Sequence, residues 1–362
     1  MATSGTAPTP AKPGRLKRIA KRVLQGILIL VVLAAATGAL YQAIANWRDA
    51  RRFPQEGHSV ALGAAFPNVA LNLNCSGQGS RTVILDTGLG VPAAGWKLVQ
   101  PEVAKFARVC SYDRAGYGWS TPGPMPRTSG EIVKELHALL AASGEKGPYV
   151  LVAHSFGGYN VRVYTKEYPA DVVGLVLVDT SHEDQEGRMP GSLQAFMKNQ
   201  SAQLELQRKV APLLIFFGIT RLMGGDADQP NLPRSFLDEI NYLQLQPKFI
   251  EATASEIQNF RASADEVRTA GDLGDRPLVV LTAGKDLDAK DLPKGVEKRD
   301  MDEFRKIWVN DLQVREAHLS TRGKQVIVAD STHMIPFERP DTVIEAIREV
   351  SDAVNAAPTV KQ

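Results

Sequence analysis

The strongest constraint on the fold is a series of short, largely apolar runs separated by segments with helical periodicity. Strands that read as continuous apolar runs are typical of a sheet covered on both faces, as parallel sheets are. The runs lie at 82–86, 107–113, 149–155, 172–179, 277–284 and 325–330. Two alternating segments, HSVAL and NVALNLN, come before them and suit half-buried strands.

The segments between these runs carry helix signals. Thr128 and Glu131 have the spacing of a capping box, the apolar positions that follow share one helical face, and Gly144 stands where a C-terminal cap is expected. Alternating strands and helices predict a doubly wound α/β sheet. The interval 182–275 breaks the alternation, because it is rich in Gln, Leu, Glu and Ala and shows only helical periods. We interpret it as a helical insertion.

Within this insertion, residues 210–219 read VAPLLIFFGI. Ten residues are too few to span a bilayer as a helix. The preferred interpretation is a buried cap helix. The alternative is an apolar surface that lines a substrate site or faces a membrane.

The N-terminal region predicts a membrane anchor. Residues 1–22 form a basic tail with six Lys or Arg and no acid, and the uncharged apolar run 23–41 is about as long as a bilayer core. The positive-inside rule then places the tail in the cytoplasm and everything after about residue 45 outside, including most of the polar linker 42–57. A cleaved signal peptide is the alternative, with small residues such as Ala43 and Ala45 at the cleavage site. The length of the apolar run favours an uncleaved anchor.

The charge balance of the rest of the chain bears on partners. Outside residues 1–22 there are 36 basic residues against 40 acidic ones. This balance gives no reason to expect nucleic acid binding. Zinc-type cysteine spacing, an H-E-x-x-H motif and a phosphate-binding glycine–lysine loop are also missing from the sequence. No metal or cofactor is expected.

The segment YVLVAHSFGGYN, 149–160, predicts a nucleophile at Ser155. A sharp strand-to-helix turn that exposes a serine requires small residues two positions before and two after it, and here these are Ala153 and Gly157. The serine hydroxyl becomes a useful nucleophile only when a base removes its proton. Of the six histidines, His333 is the candidate base, because it alone follows the last predicted strand in a loop that can return to the turn. His154 is expected to point away.

A carboxylate is then needed to orient the histidine. Asp286, just after the run 277–284, is the preferred acid, with Asp179 and Asp288 as alternatives. The negative charge that forms on the substrate needs amide donors. The N–H of Phe156 is one candidate, and the N–H of Leu89, in the glycine-rich loop TGLGVPAAGW, is the other.

These motifs together resemble a known family. LDTGLG, YDRAGYGWS, LVAHSFGG, GLVLVD, LTAGKD and STHMIPFERPD stand in the order seen in α/β-hydrolases of the esterase and haloperoxidase-like type. The resemblance covers residues 58–181 and 276–355. It implies a mainly parallel eight-stranded sheet, a helical cap at 182–275 inserted after the sixth strand, and a Ser-His-Asp triad that needs no cofactor.

Mapped onto this chain, the resemblance points to Ser155, His333 and Asp286, with Leu89 and Phe156 as oxyanion donors. Asp113 and Arg114 are then expected to hold a turn beside the site. The chain departs from the family pattern where Ala153 replaces a glycine and Thr-Gly replaces His-Gly before the oxyanion loop. A serine nucleophile also argues against relatives that use aspartate, the epoxide hydrolases and haloalkane dehalogenases.

Two further expectations follow from the fold that the resemblance implies. Cys75 and Cys110 lie on strands that are neighbours in this fold, so they are disulfide candidates, in agreement with a domain outside the cytoplasm. His182 opens the cap and is a candidate substrate contact.

The sequence therefore favours a membrane-anchored serine hydrolase acting on a carboxylic ester, lactone or related small acyl compound. Amide or peptide cleavage, acyl transfer and cofactor-free peroxidation by the same triad are alternatives. A non-catalytic binding module tethered to the membrane is the alternative from another class.

Overall fold

The computed structural model describes residues 14–223 and 232–356. The chain divides into two compact units. One contains the N-terminal helix together with residues 211–223, and the other contains the remaining described residues from Phe53 onward.

The larger unit is built on one eight-stranded sheet. Its strands are β1 His58–Ala61, β2 Ala70–Ser76, β3 Thr82–Asp86, β4 Arg108–Tyr112, β5 Tyr149–His154, β6 Val172–Val178, β7 Leu278–Ala283 and β8 Gly323–Val328. Their spatial order is β1-β2-β4-β3-β5-β6-β7-β8, and only the two pairings made by β2 are antiparallel. The expected fold class, a mainly parallel eight-stranded sheet flanked by helices, is confirmed.

The helices follow the chain order. They are α1 Arg15–Arg52, α2 Gln100–Val103, α3 Ser129–Ser143, α4 Gly157–Glu167, α5 Gln185–Arg188, α6 Gly191–Phe216, α7 Ile219–Met223, α8 Arg234–Gln244, α9 Pro247–Gln258, α10 Phe260–Arg268, α11 Lys298–Ile307, α12 Gln313–Ala317, α13 Ile335–Glu338 and α14 Pro340–Asn355. Helices α5 to α10 occupy the interval between β6 and β7, where the cap was predicted.

The two faces of the sheet explain its apolar runs. In β5, Leu151 and Ala153 belong to one buried cluster, with residues of α3 and α4, whereas Val150 and Val152 belong to another, with residues of α2 and α14. Successive side chains of a strand point to opposite faces, so a strand covered on both sides must be apolar throughout. Because β3, β5, β6, β7 and β8 are parallel, their carboxyl ends lie at the same edge of the sheet.

Helix α1 differs from its predicted boundaries. It continues through residues 42–52, which were predicted as linker, because this stretch contains neither glycine nor proline and is rich in good helix formers. The helix ends at Arg52, shortly before Pro54, as the restriction on residues preceding proline leads one to expect. Residues 15–22 of the basic tail are also helical, while residues 1–13 lie outside the described part of the chain.

The apolar run of α1 is exposed. Its most apolar window has a mean hydropathy of 2.4 and is 0% buried, and α1 is the one helix within residues 14–223 and 232–356 that is long and apolar enough to cross a membrane. The run 210–219 is also largely exposed, so the prediction of a buried cap helix is wrong. Leu213 and Phe216 are each 59% exposed, although Ile215 is buried.

Candidate active site

Ser155 sits in a tight turn between β5 and α4. Its φ of +54° lies in the left-handed region, which a non-glycine residue adopts only when its surroundings impose it. The Ser155 N–H donates to the Val178 carbonyl at 3.2 Å, and the Ser155 carbonyl accepts from the N–H groups of Gly158 and Ser181 at 3.0 Å each. The end of β6 therefore holds the turn from both sides.

The two glycines after the turn are required by close packing. A Cβ atom on Gly157 would lie 2.8 Å from the Thr87 carbonyl oxygen, and one on Gly158 would lie 2.4 Å from the Thr180 Cβ. Both distances are too short for any side chain. Ala153, where the family pattern has glycine, is fully buried in the core, so its methyl group is accommodated.

His333 connects the serine to a carboxylate. Its Nε2 lies 2.9 Å from Ser155 Oγ, and its Nδ1 lies 2.6 Å from Asp179 Oδ2. An ionised carboxylate can only accept, so Nδ1 carries the proton and Nε2 is free to accept from the serine hydroxyl. The loop after β8 thus brings the imidazole of His333 to the turn after β5.

Asp179, the alternative acid, is the residue that contacts this histidine. It is buried, has a φ of +44°, and follows β6 directly. Its second oxygen, Oδ1, accepts from Trp308 Nε1 at 2.8 Å and from the Ala283 N–H at 2.9 Å. The carboxylate is therefore held with both oxygens occupied.

The preference for Asp286 is corrected by this geometry. The Asp286 side chain is 62% exposed and accepts from Lys298 Nζ at 2.9 Å, and this hydrogen bond lowers the pKa of the carboxyl group. Asp288 is 75% exposed, with its nearest cation on Lys290. The reason is positional. The loop after β7 leads Asp286 outward to α11, while β6 lies next to β5 and ends beside the serine.

A signal for Asp179 was present in the sequence. It comes immediately after the uninterrupted apolar run of β6, whereas Gly284 and Lys285 separate Asp286 from the end of β7. A side chain at the very end of a buried strand has less freedom to turn away. No sequence signal marks Trp308, which is 129 residues from Asp179 along the chain.

His154 has a supporting position that the sequence analysis missed. Its Nε2 lies 2.8 Å from the His333 carbonyl oxygen. That oxygen can only accept, so the imidazole donates from Nε2. Burial, and then the neighbouring His333, lower the pKa of His154 to about 3, which keeps the ring neutral. His154 therefore fixes the backbone of the histidine that contacts Ser155.

The loop after β3 lies against the serine. A Cβ on Gly88 would be 3.1 Å from Ser155 Cβ, so only glycine allows this approach without displacing a neighbour. Among the described residues, no acceptor takes a hydrogen bond from the N–H of either Leu89 or Phe156, the two predicted oxyanion donors. Both N–H groups thus keep their hydrogen-bonding capacity.

Arg114 stabilises the loop after β3. Its guanidinium donates to the carbonyl oxygens of Thr87 at 2.8 Å and Gly88 at 3.0 Å, and it pairs with Asp86 at 2.8 Å and Glu256 at 3.0 Å. Burial alone would lower the pKa of Arg114, but the adjacent carboxylates outweigh it and raise the pKa. Asp113 accepts from the Ala93 N–H at 2.8 Å and so anchors the far end of the same loop. The expected supporting role of this pair is seen in these contacts.

Glu256 of the cap helix α9 is a second residue that the sequence analysis missed. It is fully buried, pairs with Arg114, and accepts from the Tyr117 hydroxyl at 2.6 Å. That hydroxyl in turn accepts from the Gly90 N–H at 3.1 Å. One cap side chain therefore stabilises both ends of the turn that contains Leu89.

His182 is not brought to the serine by any contact among the described residues. It is 2% exposed, and its Nδ1 accepts from the Asp184 N–H at 3.0 Å. Burial lowers the pKa of His182 to about 4. This environment is that of a neutral residue that stabilises the start of the cap.

Cys75 and Cys110 form a disulfide. They are directly opposite each other in the antiparallel register of β2 and β4. The bond joins two strands that are 35 residues apart in sequence.

Comparison with known proteins agrees with the fold. Residues 83–346 match the model of the alpha/beta hydrolase family. The chain is 32% identical over 108 residues to the uncharacterized protein YqjL of Bacillus subtilis (strain 168), covering 30% of this chain and 43% of that protein. It is 28% identical over 130 residues to 2-hydroxymuconate semialdehyde hydrolase of Pseudomonas sp. (strain CF600), covering 35% and 46%. The matches therefore span less than half of either relative.

The solved structure of a thermophilic esterase from Thermogutta terrifontis is similar in fold. It has a TM-score of 0.56 at 23% identity, covering 82% of this chain and 98% of the esterase chain. The family match begins within β3 and ends in the first half of α14, which is more than half of the chain, and it contains Ser155, His333 and Asp179. The chain belongs to the alpha/beta hydrolase family.

Proposed function

We propose that this protein is a serine hydrolase that cleaves a carboxylic ester, lactone or related acyl compound through an acyl-enzyme. The observation that carries the proposal is the continuous contact from Ser155 Oγ through His333 to Asp179, at 2.9 and 2.6 Å. These distances suit proton transfer from a nucleophile to a base that is itself oriented by a carboxylate.

In the first half of the reaction, Ser155 Oγ attacks the acyl carbon while its proton passes to His333 Nε2. Asp179 stabilises the imidazolium that forms and holds its orientation. The same proton is then given to the leaving alcohol, and the Ser155 ester remains. Water attacks this ester in the second half, with His333 again as the base, and the acid is released.

In this proposal, the N–H groups of Leu89 and Phe156 stabilise the negative charge that develops on the carbonyl oxygen of the substrate. Backbone amides that are already oriented can stabilise a transition state without reorganising during the reaction. Arg114 contributes indirectly, because it holds the carbonyl groups on the other side of the same loop. No step requires a cofactor or metal.

The substrate class is proposed from chemistry and likeness together. An activated serine with an oxyanion site suits acyl transfer to water, and the similar proteins named above include a hydrolase and an esterase. We propose a small-molecule acyl substrate on this basis.

We further propose that α1 anchors the protein, with the hydrolase unit on the extracytoplasmic side. The basic residues that precede the apolar run are expected to stay in the cytoplasm. The disulfide between Cys75 and Cys110 suits the oxidising conditions outside it.

The test is covalent labelling of the full-length, detergent-solubilised protein with a fluorophosphonate. We expect the wild type to be labelled and to hydrolyse short-chain p-nitrophenyl esters. Ser155→Ala and His333→Ala should lose both properties while keeping the wild-type circular dichroism spectrum.

Matched controls use the same side chains away from the site. Ser80→Ala, on an exposed loop, and His137→Ala, on α3, should be labelled like the wild type. A folded wild type that is neither labelled nor active would overturn the proposal. It would favour the alternative of a non-catalytic binding module.

A further inference from the structure

Residues 211–223 pack against the C-terminal half of α1, within the smaller unit. At Gly38 of α1 a Cβ atom would lie 2.4 Å from the Phe217 carbonyl oxygen, so the backbones meet closely there. Gly218 turns the chain with a φ of +71°, beside the ring of Tyr41. Close approach through glycine is typical of helix packing in membranes.

The polar contacts of this pair lie farther along α1. Arg221 donates to Gln42 Oε1 at 3.1 Å and to Asn46 Oδ1 at 3.0 Å, and it pairs with Asp49 at 2.6 Å. Arg221 is the only charged residue between 211 and 223. Its charge is thus neutralised on α1, just beyond the apolar run that ends at Tyr41.

The other side of the segment is apolar and exposed. Its exposed residues are Leu213 at 59%, Phe216 at 59%, Ile219 at 38%, Leu222 at 72% and Met223 at 77%. Several large apolar side chains exposed within one short segment are typical of an interaction site. The segment packs against α1, whose own apolar run is exposed, so the environment that covers α1 is available to these side chains.

The contacts also set its depth relative to α1. Phe217 is level with Gly38, which is inside the apolar run, whereas Arg221 is level with the polar residues that follow the run. A rise of about 1.5 Å per helical residue puts Phe217 within one or two turns of the polar boundary. This depth matches that of interfacial segments, which bury their apolar face by about 5–10 Å.

We propose that residues 211–223 form a hairpin that enters the bilayer beside α1, with lipid acyl chains as the occupant of its exposed face. The inference rests on the proposed anchoring role of α1. Helix α6 runs from Gly191 in the larger unit to Phe216 in the hairpin, so the insertion gives the cap its own membrane attachment.

The test is electron paramagnetic resonance of the full chain in phosphatidylcholine and phosphatidylglycerol vesicles, with a nitroxide on one introduced cysteine. The probe sites are Phe216→Cys and Leu213→Cys, so that one readout survives if the other variant does not fold. Leu30→Cys, on the exposed run of α1, is the lipid control, and Met125→Cys, on an exposed loop, is the water control. The native cysteines are bonded to each other.

Power saturation compares collision with oxygen, which concentrates in acyl chains, and with a water-soluble nickel chelate. We expect the oxygen-to-nickel ratio at Phe216 and Leu213 to be several-fold above that at Met125 and below that at Leu30, which lies deeper in the apolar run. Ratios at both probe sites equal to that at Met125, with Leu30 still in lipid, would overturn the hairpin and leave the anchor. A water-like ratio at Leu30 would overturn the anchor itself and the inference with it.

Discussion

The substitution Asp179→Asn separates the two candidate acids. In the wild type, one oxygen of Asp179 accepts from Trp308 and the Ala283 N–H, and the other accepts from His333. An asparagine has only one side-chain oxygen, which can face either these two donors or His333. Facing it toward the two donors keeps two hydrogen bonds, whereas facing it toward His333 keeps one, so the NH₂ group is expected to face His333.

This orientation of the amide reverses the tautomer of His333. Nδ1 of His333 must then accept a hydrogen bond from the amide, which leaves the ring proton on Nε2. A protonated Nε2 cannot take the proton of Ser155. The same change at a Ser-His-Asp triad lowers kcat by about 10⁴-fold, equivalent to about 5 kcal/mol of transition-state stabilisation. The fold should be nearly unaffected, because the side chain keeps its shape.

The assay is kcat/KM for an ester that the wild type hydrolyses, with fluorophosphonate labelling rates as a second readout. Asp286→Asn is the matched control. Its carboxylate is exposed and contacts Lys298, so its loss should change kcat/KM by no more than about twofold, within the usual range for surface substitutions.

The reasoning is refuted if Asp179→Asn keeps activity within tenfold of the wild type while circular dichroism shows a native fold. Loss of activity in Asp286→Asn alone would instead mean that the loop after β7 rearranges to supply the acid.

Three further predictions follow from single contacts. The pKa of His154 is about 3 in the fold but close to the ordinary histidine value of 6.5 in the unfolded chain, so the unfolded chain binds the extra proton between these pH values. The free energy of unfolding should therefore decrease as the pH is lowered through this window, by up to about 1.4 kcal/mol per pH unit. Urea unfolding measured at several pH values should show a weaker pH dependence of this free energy in His154→Gln. Gly157→Ala forces its methyl to 2.8 Å from a backbone oxygen and should lower the melting temperature and kcat/KM, whereas Gly187→Ala, with nothing within 4 Å, should do neither. Replacing Cys75 and Cys110 by serine should cost roughly 4 kcal/mol in urea unfolding, because the loop between them spans 35 residues, and an unchanged midpoint would show that the bond is absent in solution.

The sequence determined the features that depend on local pattern. Continuous apolar runs identify strands covered on both faces, and small residues around Ser155 identify a turn too tight for side chains. His333 could also be chosen, because it alone follows the last strand. Each of these conclusions uses residues that are close in sequence, where periodicity and steric size restrict the chain directly.

Tertiary structure decided which distant groups meet. Asp179 and Asp286 both follow strands of the sheet, and only the placement of β6 beside β5 and the donors from Trp308 and Ala283 select Asp179. Glu256 is marked by no motif, yet it fixes the loop of Leu89 from a helix 142 residues beyond Arg114. Such contacts depend on how the loops and cap pack. Many packings satisfy the same local pattern, so it cannot identify the one that gives each buried charge its partner.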